Sequence, residues 1–280
     1  MEVVGDQWIM KGCRWNSPGC VHTAGELTEL IGQLGFLPLF SNSIPGFSVE
    51  EHTTPSAWWS GDPEYDPWEW RQLLSEEPGL AYGKFFARKA GFISKEWFPV
   101  FANYRRNGYD FDALNDDGLV PFRNRKLIDV FGLDDQMIGK EILSCELKAA
   151  AGFGKNGEKN FEGTVTDLQM QTYLVMSSFR RRQNRRGEEY GWSLAALETP
   201  ETKWGYDFVT SGYAASPDEA WKKIAEQMKR FYPTAEEKSV WQMLGIRYPG
   251  ESGCMRRGRQ HTGCINNSGM GQRQKELEEN

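Results

Sequence analysis

The chain has little of what several large protein classes require. No apolar run among its 280 residues approaches the roughly 18 needed for a membrane-crossing helix, and the mean hydropathy is -0.63. Met1 is not followed by a basic stretch and an apolar core, so no secretory leader is read and a cytoplasmic location is expected. There is no excess of positive charge: 33 Lys and Arg against 39 Asp and Glu leave a net charge of -6. Coating nucleic acid by bulk electrostatics is thereby excluded, and any nucleic-acid contact must be local. Histidine is scarce, and His22, His52 and His261 are too dispersed for a Ser-His-Asp or Cys-His arrangement, so no nucleophile is assigned. The five cysteines, Cys13, Cys20, Cys145, Cys254 and Cys264, are odd in number and scattered, which predicts reduced thiols. Together with His22 and His261 they match neither finger nor ribbon spacing, so no metal and no cofactor are expected. The Gly152 to Gly157 stretch lacks the Gly-Lys-Ser/Thr ending of a phosphate loop and reads as a turn between helices. No heptad pattern persists, and no unit of 20 to 50 residues recurs.

Aromatic side chains, by contrast, are abundant: 11 Trp, 16 Phe and 10 Tyr. Thr23 and Glu26 stand at capping-box spacing before Leu27, Leu30, Ile31 and Leu34, predicting a helix ended by Gly35. Pro38 makes a central strand unfavourable over Phe36 to Phe40. Asp66-Pro67 opens another helix, Ser94 caps one with Pro99 in its first turn, and Phe122 to Phe131 forms a third before Gly132. Glu141 to Ala151 and Gly157 to Tyr173 read as two helices followed by a β-hairpin, Tyr173 to Phe179 and Tyr190 to Leu197. Helix, helix, hairpin is the order of a winged helix-turn-helix. Ser216 with Glu219 caps an amphipathic helix, and a last one follows Thr234. The expected fold class is α+β and mainly helical: a winged helix-turn-helix with a hairpin wing and additional packing helices. The expected organisation is an extension over 1–22, a helical aromatic-rich domain over 23–135, a winged-helix domain over 139–215, helices over 216–249 and a disordered tail over 250–280.

Three groups of residues carry possible chemistry. Arg180, Arg181, Arg182, Arg185 and Arg186 crowd the predicted hairpin tip of an acidic protein, where they would neutralise phosphates, or else pair with Glu188 and Glu189. Lys155, Lys159, Asn160, Thr164 and Gln169 add polar donors on the preceding helix, or form an ordinary exposed face. Trp58, Trp59, Trp68, Trp70, Arg71, Tyr82, Lys84 and Trp97 either build an aromatic cleft fit for a flipped base or fill the core. Glu50, Glu51 and Asp66 are the carboxylates within reach of such a cleft.

Several stretches resemble the AlkZ and YcaQ family of winged-helix DNA glycosylases, and more closely the AlkZ-related proteins. They are Leu34-Gly35-Phe36-Leu37-Pro38-Leu39-Phe40, Ala81 to Phe86 followed by Phe92 to Pro99, and Val165 to Gln171 running into the hairpin and Tyr190-Gly191-Trp192. The resemblance implies tandem winged helices, double-stranded DNA as partner, plain or damaged, and excision of alkylated or crosslinked bases. It also implies a Gln-x-Gln or Gln-x-Asp pair shortly after Leu34-Gly35, where this chain has Pro38 and Phe40, which hold no water. Catalysis is therefore open: a glycosylase using another carboxylate (Glu50, Glu51 or Asp66) and a non-catalytic sensor of a small ligand or protein partner are the alternatives to a DNA-binding protein.

Overall fold

The computed structural model describes residues 2–4, 7–132, 141–184 and 186–246; the tail expected over 250–280 lies outside them. The first helix forms where its cap predicts. Thr23 Oγ1 accepts the Glu26 amide, and Leu27, Ile31 and Leu34 are buried along one face of α1 (Ala24–Leu34). Gly35 ends it at φ +88, and a Cβ there would lie 2.5 Å from the Trp97 ring, so only glycine fits. Upstream, β1 (Glu2–Val4) and β2 (Gln7–Ile9) pair as a short hairpin. The rest of the extension is tied down, with Cys13 N–H donating to Thr53 O and Val21 N–H to His52 O. The expectation of reduced thiols is corrected here, because Cys13 and Cys20 form a disulfide; Cys145 is free. Cys254 and Cys264 lie outside the described residues.

β3 (Phe36–Pro38) is an edge strand, as its proline requires, and α2 (Pro67–Glu76) opens at Asp66, whose carboxylate accepts the Trp68 amide. The expectation of a mainly helical first half is corrected by β4 (Leu80–Phe86) and β5 (Lys89–Ser94), a hairpin turned through Ala87 and Arg88 at φ +47 and +68. Neither turn residue is a Gly or Asn, which removes the usual sequence mark of such a turn. Ser94 ends β5 instead of capping a helix, and α3 (Phe98–Arg106) begins after Trp97. Two short helices follow, α4 (Phe111–Asp116) and α5 (Phe122–Gly132). The helix expected over Glu141 to Ala151 is shorter, because Ile142 and Leu143 form β6 (Ile142–Leu143) against Leu197 and Ala196, leaving α6 (Ser144–Ala150). α7 (Phe161–Met170) also starts later than expected, since Glu158 N–H bonds Gly152 O and closes a tight loop before it. β7 (Val175–Gln183) and β8 (Glu189–Glu198) make the second hairpin. α8 (Pro200–Trp204), α9 (Tyr206–Thr210), α10 (Pro217–Phe231) and α11 (Glu237–Leu244) complete the α+β fold.

The six-stranded antiparallel sheet has the order β3-β5-β4-β7-β8-β6. It is two matching three-stranded units. In each, a first strand pairs with the outer side of a hairpin, β3 on β5 and β6 on β8, and the units join through β4 and β7 at Tyr82 and Met176. Helix α1 precedes β3 as α5 precedes β6, and α2 precedes its hairpin as α7 precedes the other. The helix before each hairpin packs on the other unit's strand, α2 on β7 and α7 on β4. Each unit has its own core. Leu127, Ile142, Leu147, Leu168 and Leu197 fill the second. Phe36, Phe86, Phe92 and Phe101 fill the first, which is closed by Ile224 and Met228 of α10. Each such side chain stabilises by roughly 1.5–3 kcal/mol on full burial.

Two buried arginines at the end of α3 join these parts. Arg105 donates to Phe85 O at 2.6 Å and Met170 O at 3.2 Å, and Arg106 donates to Thr172 O at 2.7 Å and Glu201 Oε1 at 2.6 Å. They thereby satisfy carbonyls that the end of α7 leaves without helical donors. Burial lowers the Arg105 guanidinium to about 10. Burial acts the same way on Arg106, but Glu201 together with Tyr213 and Tyr173 outweighs it and raises that group above its ordinary value.

Candidate nucleic-acid interface

The β7–β8 hairpin separates its arginines into two kinds. β7 runs on past Phe179, so Arg180, Arg181 and Arg182 lie in the strand and not at the expected tip, and Arg180, opposite Leu194, is ion-paired with Glu141. Arg181, Arg182 and Arg186 are exposed, and among the described residues none of them has a carboxylate partner; Arg185 lies outside the described residues. The nearest acid in sequence is engaged elsewhere: Asn184 Nδ2 donates to Glu188 at 2.7 Å, while Asn184 Oδ1 accepts the Arg186 and Glu188 amides. That side-chain turn shapes the tip and leaves the guanidinium groups to solvent.

Lys155, Lys159 and Asn160 are exposed around the start of α7, where Lys148 of α6 joins them. Lys148 carries no sequence mark beyond its charge and was missed. Thr164 and Gln169 do not belong to this face. Thr164 is buried with its hydroxyl on Asn160 O, and Gln169 is buried with Oε1 accepting the Lys84 amide at 3.2 Å. Farther along α7, Asp167 is paired with Arg88, which also donates to Gly163 O, so the β4–β5 turn lies against this helix. Of the cations expected at this interface, Lys155 and Lys159 stand at the N-terminal side of α7, beside Glu158 and Glu162, and Arg181, Arg182 and Arg186 on the hairpin.

The expected aromatic cleft is divided. Trp58, Trp59 and Trp68 come together with Phe40, at ring-centroid distances of 5.5 to 6.4 Å, and Trp59 is exposed. Arg71 lies 3.7 Å from the Trp68 ring centroid and 4.4 Å from that of Phe179, and the Tyr82 ring, which also interacts with Arg71, lies 6.1 Å from that of Phe179. Burial lowers the Arg71 guanidinium and pushes the Tyr82 phenol up to about 12. Phe179 comes from the other unit's hairpin, so its part was not visible in sequence. Trp70 is core, Trp97 packs on Phe36, and Lys84 reaches Thr166 at 3.4 Å; none of the three joins the cluster.

The three carboxylates organise loops. Glu50 is buried and accepts the amides of Lys11 and Ser41 at 2.8 and 2.9 Å. Glu51 accepts the Gly46 amide and the Ser48 hydroxyl. Asp66 accepts three amides, from Trp59, Gly61 and Trp68. Pro38 stands opposite Gly91 on the sheet edge, and the Phe40 ring packs between Trp58 and Trp68. A different carboxylate, Glu141, faces a groove lined also by Glu146, Phe179, Arg180, Arg181, Glu189 and Ser193. Its Oε2 accepts both Ser177 and Ser178 hydroxyls, at 2.8 and 2.7 Å.

A family model described as AlkZ related matches residues 21–245. No curated protein and no solved structure matches the chain. No helix among the described residues is long and apolar enough to cross a membrane.

Proposed function

The chain belongs to the AlkZ-related family, whose theme is DNA-glycosylase-like, and from this we propose that it is a DNA-binding protein built from two winged-helix units. The observation that carries this reading is the set of exposed arginines, Arg181, Arg182 and Arg186, that have no carboxylate partner among the described residues, on one hairpin of a protein with net charge -6. Cations placed so by the fold neutralise phosphates and release counterions. Lys148, Lys155 and Lys159 extend the positive surface toward α7, the position of a recognition helix in this module. The matching order of helices and strands in the two halves supports the tandem reading. Arg180 plays a smaller part while Glu141 holds it.

The polar pair implied by the family resemblance is replaced by Pro38 and Phe40, and the half-buried Phe40 ring packs against the Trp58 and Trp68 indoles. This favours DNA binding without hydrolysis at that position. Fluorescence anisotropy with two labelled duplexes, one plain and one carrying N7-methylguanine, tests the reading. Binding that weakens steeply with salt, and weakens again when Arg181, Arg182 and Arg186 are changed to Ala, is the expected result. Absence of binding to both duplexes at low salt refutes it and turns attention to a protein partner or a small ligand at Trp59 and Trp68.

A further inference from the structure

Arginine is almost never fully buried unless an acid faces it, and Arg105 is an exception. Its guanidinium bonds two neutral carbonyls, Phe85 O and Met170 O, and lies over the Phe101 ring. Among the described residues no carboxylate pairs with it, and only the Tyr104 phenol opposes the cost of its burial. Arg106 beside it has one acid, Glu201. Two buried guanidinium groups thus share a single full negative charge. The carbonyl ends of α3 and α7 carry partial charge only, and the amides of Gly108 and Tyr173 already take part of it by bonding Asn103 O and Leu168 O.

A cavity of about 40 Å³ lies against this pair, lined also by Asn107, Leu114 and Gln171, so that the ends of α3 and α7 meet α4 around it. The Nε atoms of both arginines are buried and find no acceptor among the described residues. Asn107 and Gln171 add carboxamides whose N–H groups can donate. No carboxylate stands on its walls, unlike the surfaces beside α7, with Glu158 and Glu162, and beside the β7–β8 hairpin, with Glu141, Glu146 and Glu189. Asp110 and Asp117, from the same stretch of chain, are engaged with the Tyr206 and Tyr109 hydroxyls. In a protein of net charge -6, a space walled by guanidinium groups and donors and without acids is suited to an anion. Its size sets which kind. A single water needs roughly 10–15 Å³, so the cavity admits one or a few atoms and no nucleotide. Asn107 and Leu119 on its walls are exposed, which gives an ion a way in.

We propose that this cavity binds a small monovalent anion of chloride size, which supplies the counter-charge that Arg105 lacks. The anion accepts from the guanidinium and carboxamide donors in place of the water they lose on folding, and it joins the ends of α3 and α7 to α4. The unfolded chain does not assemble these groups, so the anion binds the native state alone and stabilises it in proportion to the logarithm of its concentration. The site uses none of the residues on which DNA binding was argued, and either reading can fail without the other.

Thermal unfolding of the full chain, with sodium chloride exchanged for sodium gluconate at constant ionic strength, tests the site, because gluconate is too large for the cavity. Above the dissociation constant, Tm should rise by about 3–5 °C for each tenfold increase in chloride. Bromide should substitute for chloride, and crystals grown in sodium bromide should show its anomalous signal beside Arg105. R105M should lose the chloride dependence, whereas R88A, whose guanidinium is held at the surface by Asp167, should keep it. If R105M does not fold, the bromide signal in the wild type decides. A Tm that is the same in both salts overturns the proposal, as does a water in the cavity of the bromide crystals. A bromide signal without any chloride dependence of Tm is binding at crystal concentration only and overturns it too. Chloride dependence undiminished in a folded R105M places the ion elsewhere and has the same consequence.

Discussion

Changing Glu201 to Gln keeps the shape of the side chain and removes the negative charge that faces Arg106. The guanidinium is almost fully enclosed, at 1% exposure of its side chain, whereas the Glu201 side chain is 29% exposed. Breaking a fully buried pair costs about 3–5 kcal/mol, because the remaining charge stays desolvated without its partner. Here the carboxylate side is partly hydrated, and Arg106 keeps its bond to Thr172 O and its place over the Tyr173 ring. Those two facts reduce the expected loss to about 2 kcal/mol, which for a domain of this size is a fall in Tm of roughly 4–8 °C. Urea unfolding at neutral pH measures the free energy, and E237Q supplies the contrast. The pair that Glu237 makes with Lys229 has side chains 90% and 71% exposed, so its loss should change stability by less than about 0.5 kcal/mol. If E201Q is as stable as E237Q, Arg106 is not the link between α3, α7 and α8 that its hydrogen bonds describe, and the reasoning from burial fails.

Removing Arg181, Arg182 and Arg186 together should reduce the steepness of the log-log salt dependence of duplex binding by about 2.7, or roughly 40-fold in affinity-ratio terms between 50 and 200 mM salt. R88A, whose guanidinium is held by Asp167, should leave that slope unchanged in the same anisotropy titration. Ser216→Ala removes one half of the capping box on α10 and should cost about 1 kcal/mol in urea unfolding; no loss would show that α10 is held by packing alone. The Glu158 carboxyl is held below its ordinary value by the Arg123 hydrogen bond, with Lys126 adding to the effect. A carboxyl depressed in the folded state contributes stability that is complete above its ordinary value of 4.5 and is lost as pH falls through the lower folded value. E158Q should therefore flatten the acid limb of the stability profile, and an unchanged limb would exclude this contribution.

Local chemistry determined much of this protein from the sequence alone. Thr23, Asp66 and Ser216 start helices because their side chains accept amides that no helical carbonyl reaches, and Gly35 stops one because a side chain would meet Trp97. The β7–β8 hairpin and its run of arginines were equally legible, since β-rich segments around a polar turn need no distant partner to be recognised. The β4–β5 hairpin was hidden by a turn of Ala87 and Arg88, and β6 by a strand of two residues whose identity depends on Leu197 being opposite. Only the tertiary structure decided which cations are available. It gives Arg180 to Glu141 and Arg88 to Asp167 and leaves Arg181 and Arg182 exposed, although all are alike in composition. It also dispersed Trp70, Trp97 and Lys84 from the expected cleft and brought in Phe179 from the other unit. The physical reason is the same in each case: a side chain's partner is set by the pairing of β4 with β7 and the packing of helices across that seam, and neither is written in neighbouring residues.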